Sequence, residues 1–240
     1  MTEGPMTEGH SLAKPILPGS APSDYERYLR TEELLALQKG ADEWIHRDEL
    51  LFQSVHQSSE IWLKLAWNEV EEAARLVGDA DLPAAIRLLR RANDCLKIVT
   101  GALEMLEHMS PWEYTEVRKV LGHGSGFDSP GFREIRRVTP LLGEAFHAAR
   151  ERAGLSLTEV YTRGREFEDL YNLAEQLIEL DERVIVWRVV HFKVVQRTIG
   201  AGVVGTQGTP VEVMGRLIHK SFFPELWDVR NELTNMNLPE

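Results

Sequence analysis

Two histidines stand where side chains could do chemistry. His56 lies in DELLFQSVHQSSEIWLKL (48–65), where the polar block HQSS interrupts an otherwise apolar helical face. Those side chains either meet water or meet something that needs a nitrogen and several hydroxyls. Glu60 follows His56 by four residues, so the two share one face of a helix. Such a pair can bind a metal, but alone it more commonly forms a structural hydrogen bond. A di-iron bundle needs two Glu-x-x-His motifs plus two further glutamates on facing helices. The spacing Glu43 to His46 falls instead in a predicted connecting segment.

His191 sits between the apolar runs VIVWRVV and FKVV. An imidazole inside an apolar helix ionises at a cost, so it is expected to be neutral. Two readings stay open: a core histidine satisfied by a hydrogen bond, or an axial ligand to a haem iron, which also requires a neutral imidazole. Two glycine-rich loops, GHGSGFDSPG (122–131) and GAGVVGTQGTP (200–210), let backbone approach a ligand closely and carry Ser125, Thr206 and Thr209 as small donors. Neither has the GK[ST] ending of a phosphate loop nor a dinucleotide fingerprint. There is no Gly-x-Ser-x-Gly elbow, and the single cysteine, Cys95, sits among apolar helical residues, a poor place for a nucleophile.

The elements that must position these residues read as helices. Ser23 or Asp24 can cap a helix over 25–39 that stops at Gly40. A long helix runs over 48–77, with Leu51, Val55, Trp62, Leu65 and Val70 at three- and four-residue spacing, and stops at Gly78. Pro83 opens the next helix, over 83–109, and Ser110-Pro111 caps and starts another over 111–121. Helical patterns resume over 132–152, 156–200 and 211–220, and no long stretch alternates with period two. The expected fold class is all-α, a helical bundle. Residues 1–22, rich in Gly, Pro and Ser with MTEG occurring twice, read as a disordered N-terminal arm, leaving 23–240 as one helical domain.

The 240 residues carry a formal net charge of -11, which argues against a general nucleic-acid binder. The basic clusters RLLRRAN and FREIRR, interleaved with Leu and Ile, read as solvated helix faces. No apolar run approaches the roughly 20 residues of a membrane span, so no membrane partner is expected. The N-terminus lacks the basic-then-apolar order of a signal peptide. A lone cysteine fits a reducing compartment, so the expected location is cytoplasmic.

Taken together, YERYL (25–29), DELLFQSVHQSSEIWLKL, SPWEYTEVRKVLGHGSGFDS, WRVVHFKVVQRTIG and SFFPELWDVR, in that order, resemble the tryptophan 2,3-dioxygenase family of haem enzymes. The resemblance implies haem b with His191 as the axial iron ligand, dioxygen as co-substrate, and His56 as the distal catalytic histidine beside the substrate indole NH. It implies that Tyr25, Tyr28, Leu29 and Phe52 line the indole pocket, with YERYL donated by a neighbouring subunit of a homotetramer. Arg118 would grip the substrate carboxylate, while Ser125 and Thr206 would lie at the substrate, Thr206 holding its ammonium. The implied reaction opens the indole 2,3 bond of L-tryptophan to N-formylkynurenine. The alternatives are a haem-dependent monooxygenase giving a 2-oxindole from tryptophan or a substituted tryptophan and, more remotely, a non-enzymatic helical binding protein.

Two departures from the family pattern stand out. The segment between the arginine loop and the proximal helix, 132–187, is shorter than in typical members. The loop reads GHGSGFDS where the usual form is closer to ASGFQS, which would place His123 and Asp128 near the substrate carboxylate.

Overall fold

The computed structural model describes residues 14–236. Much of the expected arm therefore lies outside the described residues. The chain groups into two compact units, Met1–Trp44 and Ile45–Glu240.

In the first unit, Ser23 caps α1 (Asp24–Leu29), its hydroxyl accepting the Glu26 N–H. Residues within 16–21 are tied to this helix. The Ile16 and Leu17 N–H groups donate to the Asp24 carboxylate, and the Arg27 guanidinium donates to the Ala21 carbonyl at 2.7 Å. The continuous helix expected over 25–39 is corrected here: Arg30 adopts a left-handed conformation (φ 53°), and only a short α2 (Thr31–Leu35) follows. Neither helix buries a residue. Short helices depend on tertiary packing, so nothing rewards continuing this one.

The second unit is built on four long helices: α3 (Asp48–Gly78), α4 (Leu82–Glu104), α6 (Pro130–Arg152) and α8 (Glu168–Ile199). The 31 residues of α3 make a strut of about 46 Å at 1.5 Å per residue. It packs against α4 and α6, and α4 packs in turn against α8. Leu63, Ala66, Val70, Ala73 and Val77 recur along α3 at three- and four-residue spacing and are essentially inaccessible. Leu89, Leu96, Ile135, Leu142, Phe146, Leu173 and Leu177 meet them in one core.

Local chemistry sets the helix starts. Asp81 caps α4 through the Ala84 N–H, with Pro83 in the first turn. A reciprocal capping box, Ser110 with Glu113, begins α5 (Pro111–Arg118), where Pro111 supplies a fixed φ. Ser129 caps α6 and Pro130 follows it, so this helix starts two residues before the expected 132. The stretch expected as one helix over 156–200 is two, α7 (Leu157–Thr162) and α8. Gly164 lies in the break, and a side chain there would meet the Tyr171 ring at 3.2 Å.

After α9 (Val211–Leu217) comes a helix the sequence pattern had not placed, α10 (Pro224–Asn235). It is anchored by Asp181, a fully buried carboxylate on α8 that accepts the Phe222, Phe223 and Trp227 Nε1 hydrogens. Among the described residues there is no strand, only an isolated bridge between Val204 and Pro210. No helix among them is long and apolar enough to cross a membrane.

Candidate functional site

The N-terminal half of α3 and the C-terminal half of α8 line one cavity. Phe52, His56 and Glu60 repeat every four residues on one face of α3, and Trp187 and His191 do the same on α8. A small core of Val55, Leu103, Leu106, Met109 and Val194 fixes this end, with Phe52, Tyr114 and Trp187 packed on it. Above it lie two cavities, of about 460 and 700 Å³. His191, Gly126, Phe127, Gln207, Thr209 and Met214 line both.

His56 faces the first cavity. Its Nδ1 lies 2.7 Å from the Phe52 carbonyl oxygen, and a carbonyl can only accept, so Nδ1 carries the proton. The residue is exposed and lines the cavity. Surrounding protein lowers its pKa by burial, opposed by the Phe52 hydrogen bond and by Glu60. The neutral ring therefore keeps a lone pair on Nε2. Phe52 stacks on it with ring centroids 4.0 Å apart and fixes its plane.

His191 is the more deeply enclosed of the two. Burial, and secondarily His56 across the cavity, push its pKa down to about 4. The Trp187 indole stacks on it at 4.8 Å and in turn packs against Phe132 at 3.9 Å. Among the described residues neither ring nitrogen has a hydrogen-bond partner, so this is not the satisfied core histidine of the first sequence reading. Gly126 closes on the same ring: a Cβ there would sit 3.3 Å from Cε1 and 3.6 Å from Nε2. A side chain at position 126 would therefore crowd this imidazole.

The two glycine-rich loops meet over the first cavity. Thr206 donates its hydroxyl hydrogen to the Gly124 carbonyl. Gln207 Nε2 donates to Asp128 Oδ2 at 2.6 Å, and the Arg118 guanidinium donates to the Val204 carbonyl at 3.2 Å. Ser125 caps a 3-10 turn (Gly126–Asp128) whose Asp128 carboxylate accepts the Ser125 N–H in return. Glu60 secures the base of the loop: Oε1 accepts the Ser129 hydroxyl at 2.5 Å and Oε2 the Gly131 N–H at 2.8 Å. Its role is structural, and among the described residues no three His, Cys, Asp or Glu side chains converge as a metal cluster.

The structure thus gathers Phe52, His56, Ser125, Thr206 and His191 on one cavity wall. Arg118 stands just outside that wall, held to Val204. Asp128 lines the cavity, whereas His123 is exposed and does not. Tyr25, Tyr28 and Leu29 belong to the first unit, where they are 69, 78 and 45% exposed. Sequence reasoning missed Tyr114 and the gap-filling Leu103, Leu106 and Met109. Tyr114 was findable, since it precedes Arg118 by four residues and shares its helical face. The other three come from the end of α4 and the turn after it, and look like ordinary core.

The family model described as tryptophan 2,3-dioxygenase matches residues 11–147 and 141–233, nearly the whole chain. This chain belongs to the tryptophan 2,3-dioxygenase family. It is 31% identical to a tryptophan 2,3-dioxygenase of Caulobacter vibrioides over 260 positions, covering 87% of this chain and 98% of that protein. It is 30% identical to one of Bacillus cereus over 261 positions, covering 87% and 92%. A 240-residue chain cannot fill 260 aligned positions, so it lacks stretches that these dioxygenases carry. The family match divides at 141–147, in the middle of α6 and within the short segment noted in the sequence. Both histidines lie outside that division, on α3 and α8.

Proposed function

We propose that this chain is a haem-dependent oxygenase that inserts dioxygen across the indole 2,3 bond of L-tryptophan to give N-formylkynurenine, with His191 as the axial ligand of haem b. Family membership supports the reaction class. The observation that carries the cofactor is His191: a neutral imidazole without a hydrogen-bond partner among the described residues, on the shared lining of two cavities. A lone pair presented from an apolar wall is what a haem iron requires.

The surroundings fit the group as well. Phe132, Ile135, Val184, Trp187, Met214 and Leu217 give the second cavity apolar walls for a macrocycle. Arg136, Arg188 and Lys220 also line it and offer cations to the two propionates. Gly126 leaves space beside the His191 ring that any side chain would reduce. When bound, the haem iron supplies the dioxygen activation that no side chain here provides.

The protein's share is positioning. Phe52 and Tyr114 provide aromatic walls for an indole, worth about 25 cal/mol per Å² of apolar surface buried. With Nδ1 protonated, His56 presents Nε2 as an acceptor for the indole N–H and so orients the ring within the cavity. Arg118 keeps donors beyond the one committed to Val204 and can take the substrate carboxylate. Thr206 donates to Gly124, which leaves its oxygen lone pairs for an ammonium, and Ser125 holds the loop beneath them.

In this reading residues 23–240 form the catalytic domain. The exposed Tyr25, Tyr28 and Leu29 complete the pocket of a neighbouring subunit in a cytoplasmic homotetramer, which gives two large exposed aromatics a partner. The test is spectroscopic and chemical. Haem-supplied protein should show a Soret band that is lost or shifted in His191→Ala, whereas His56→Ala should keep the band and lose turnover. With labelled dioxygen, the product from tryptophan should be ring-opened and carry two labelled atoms. An unchanged band in His191→Ala, or one labelled atom in an intact ring, refutes the proposal.

A further inference from the structure

Only two charged side chains line the first cavity among the described residues, and both are carboxylates, Glu60 and Asp128. They differ in what they have left to offer. Both oxygens of Glu60 already accept hydrogen bonds, from Ser129 and Gly131. Asp128 accepts both of its bonds on one oxygen, Oδ2, from the Ser125 N–H at 3.2 Å and from Gln207 at 2.6 Å. Its Oδ1 accepts none among the described residues. The nearest guanidinium, Arg118, lies outside the lining and donates to the Val204 carbonyl.

A cavity walled by aromatic and aliphatic groups, with one uncommitted carboxylate oxygen and no cation on its lining, favours a ligand that is apolar at one end and cationic at the other. In such a setting a carboxylate on the ligand meets like charge unless the remaining donors of Arg118, which stands outside the lining, reach it. We infer that Asp128 binds the protonated amine of the substrate, so that the pocket selects indoles bearing an ammonium group and the carboxylate is secondary. The carboxylate stands in the loop beside Thr206 and Gly124, and Ser125 and Gln207 hold its other oxygen so that Oδ1 is pre-oriented. The inference rests on the proposed indole-oxygenase reading and names the group that reading must recognise.

The experiment uses the full chain loaded with ferric haem and titrates three indoles at neutral pH, following the Soret band and, independently, heat by calorimetry. The ligands are tryptophan (ammonium and carboxylate), tryptamine (ammonium alone) and indole-3-propionate (carboxylate alone). Tryptamine is expected to bind within about threefold of tryptophan, and indole-3-propionate more weakly by at least thirtyfold, the scale of a lost charge-assisted contact. Asp128→Asn keeps the size and the hydrogen bond to the Ser125 N–H but removes the charge. It should weaken tryptamine at least tenfold and leave indole-3-propionate unchanged or tighter. Tryptophan binding with tryptamine excluded, or a tryptamine-to-propionate ratio unmoved by Asp128→Asn, overturns the role of Asp128 while leaving the oxygenase reading intact. If no indole binds, both fall.

Discussion

The buried imidazole of His191 makes the stability of the haem-free protein depend on acid in a way that can be worked out in advance. An unfolded histidine protonates near pH 6.5, whereas in the fold burial holds the His191 pKa at about 4. The folded value is the lower one, so between pH 6.5 and 4 the unfolded chain binds the proton first. Stability is fully present above pH 6.5 and is lost as pH falls towards 4. At about 1.36 kcal/mol per pH unit of separation, the full loss is about 3 kcal/mol. By pH 4.5 it reaches about 2.5 kcal/mol, an upper bound because water entering the cavity screens the charge.

The assay is urea unfolding of haem-free protein from pH 7.5 to 4.5, with linear extrapolation to water. Carboxylates elsewhere also contribute to acid loss, so the quantity of interest is the difference in slope between the native chain and His191→Ala. The native chain should lose about 2 kcal/mol more than the variant over that range. Parallel profiles, within about 0.5 kcal/mol, would refute the claim that this ring is held neutral by burial.

Three further outcomes follow from the packing around the site. Gly131→Ala places a Cβ 2.5 Å from Leu63 Cβ and 2.8 Å from Glu60 Oε2, so it should destabilise the fold by about 1–3 kcal/mol, read in the same urea melts. Gly126→Ala has no backbone penalty but crowds the His191 ring. Haem affinity should fall severalfold while apoprotein stability stays within about 0.5 kcal/mol; unchanged haem titration would sink the idea that this glycine makes room at the ligand. Arg118→Ala leaves a substrate carboxylate facing Asp128 and Glu60 without compensation. Tryptophan affinity should drop about tenfold with tryptamine within twofold, and equal losses for the two would show that Arg118 acts only through the loop it holds at Val204.

Much of this molecule was legible without coordinates because its signals are local. A period near 3.6 along 48–78 fixes α3, and the Ser110-Pro111 pair fixes the start of α5, since a cap and a preset φ act within one turn; Ser129-Pro130 does the same for α6, a start that the reading over 132–152 passed over. The apolar runs around His191 already required a neutral ring. Where the sequence reading erred, the deciding contacts were distant or missing. The helix over 25–39 broke at Arg30 because no residue of α1 or α2 is buried, and α10 depends on a carboxylate more than forty residues away, Asp181. The same distinction separates the residues of the site. Composition and spacing alone singled out two histidines and two glycine-rich loops, and the family resemblance added an arginine. Tertiary structure alone decided that His191 has no hydrogen-bond partner among the described residues, that Arg118 is turned to Val204, and that Asp128 lines the cavity with both of its accepted bonds on one oxygen, because each depends on atoms brought together from separate elements.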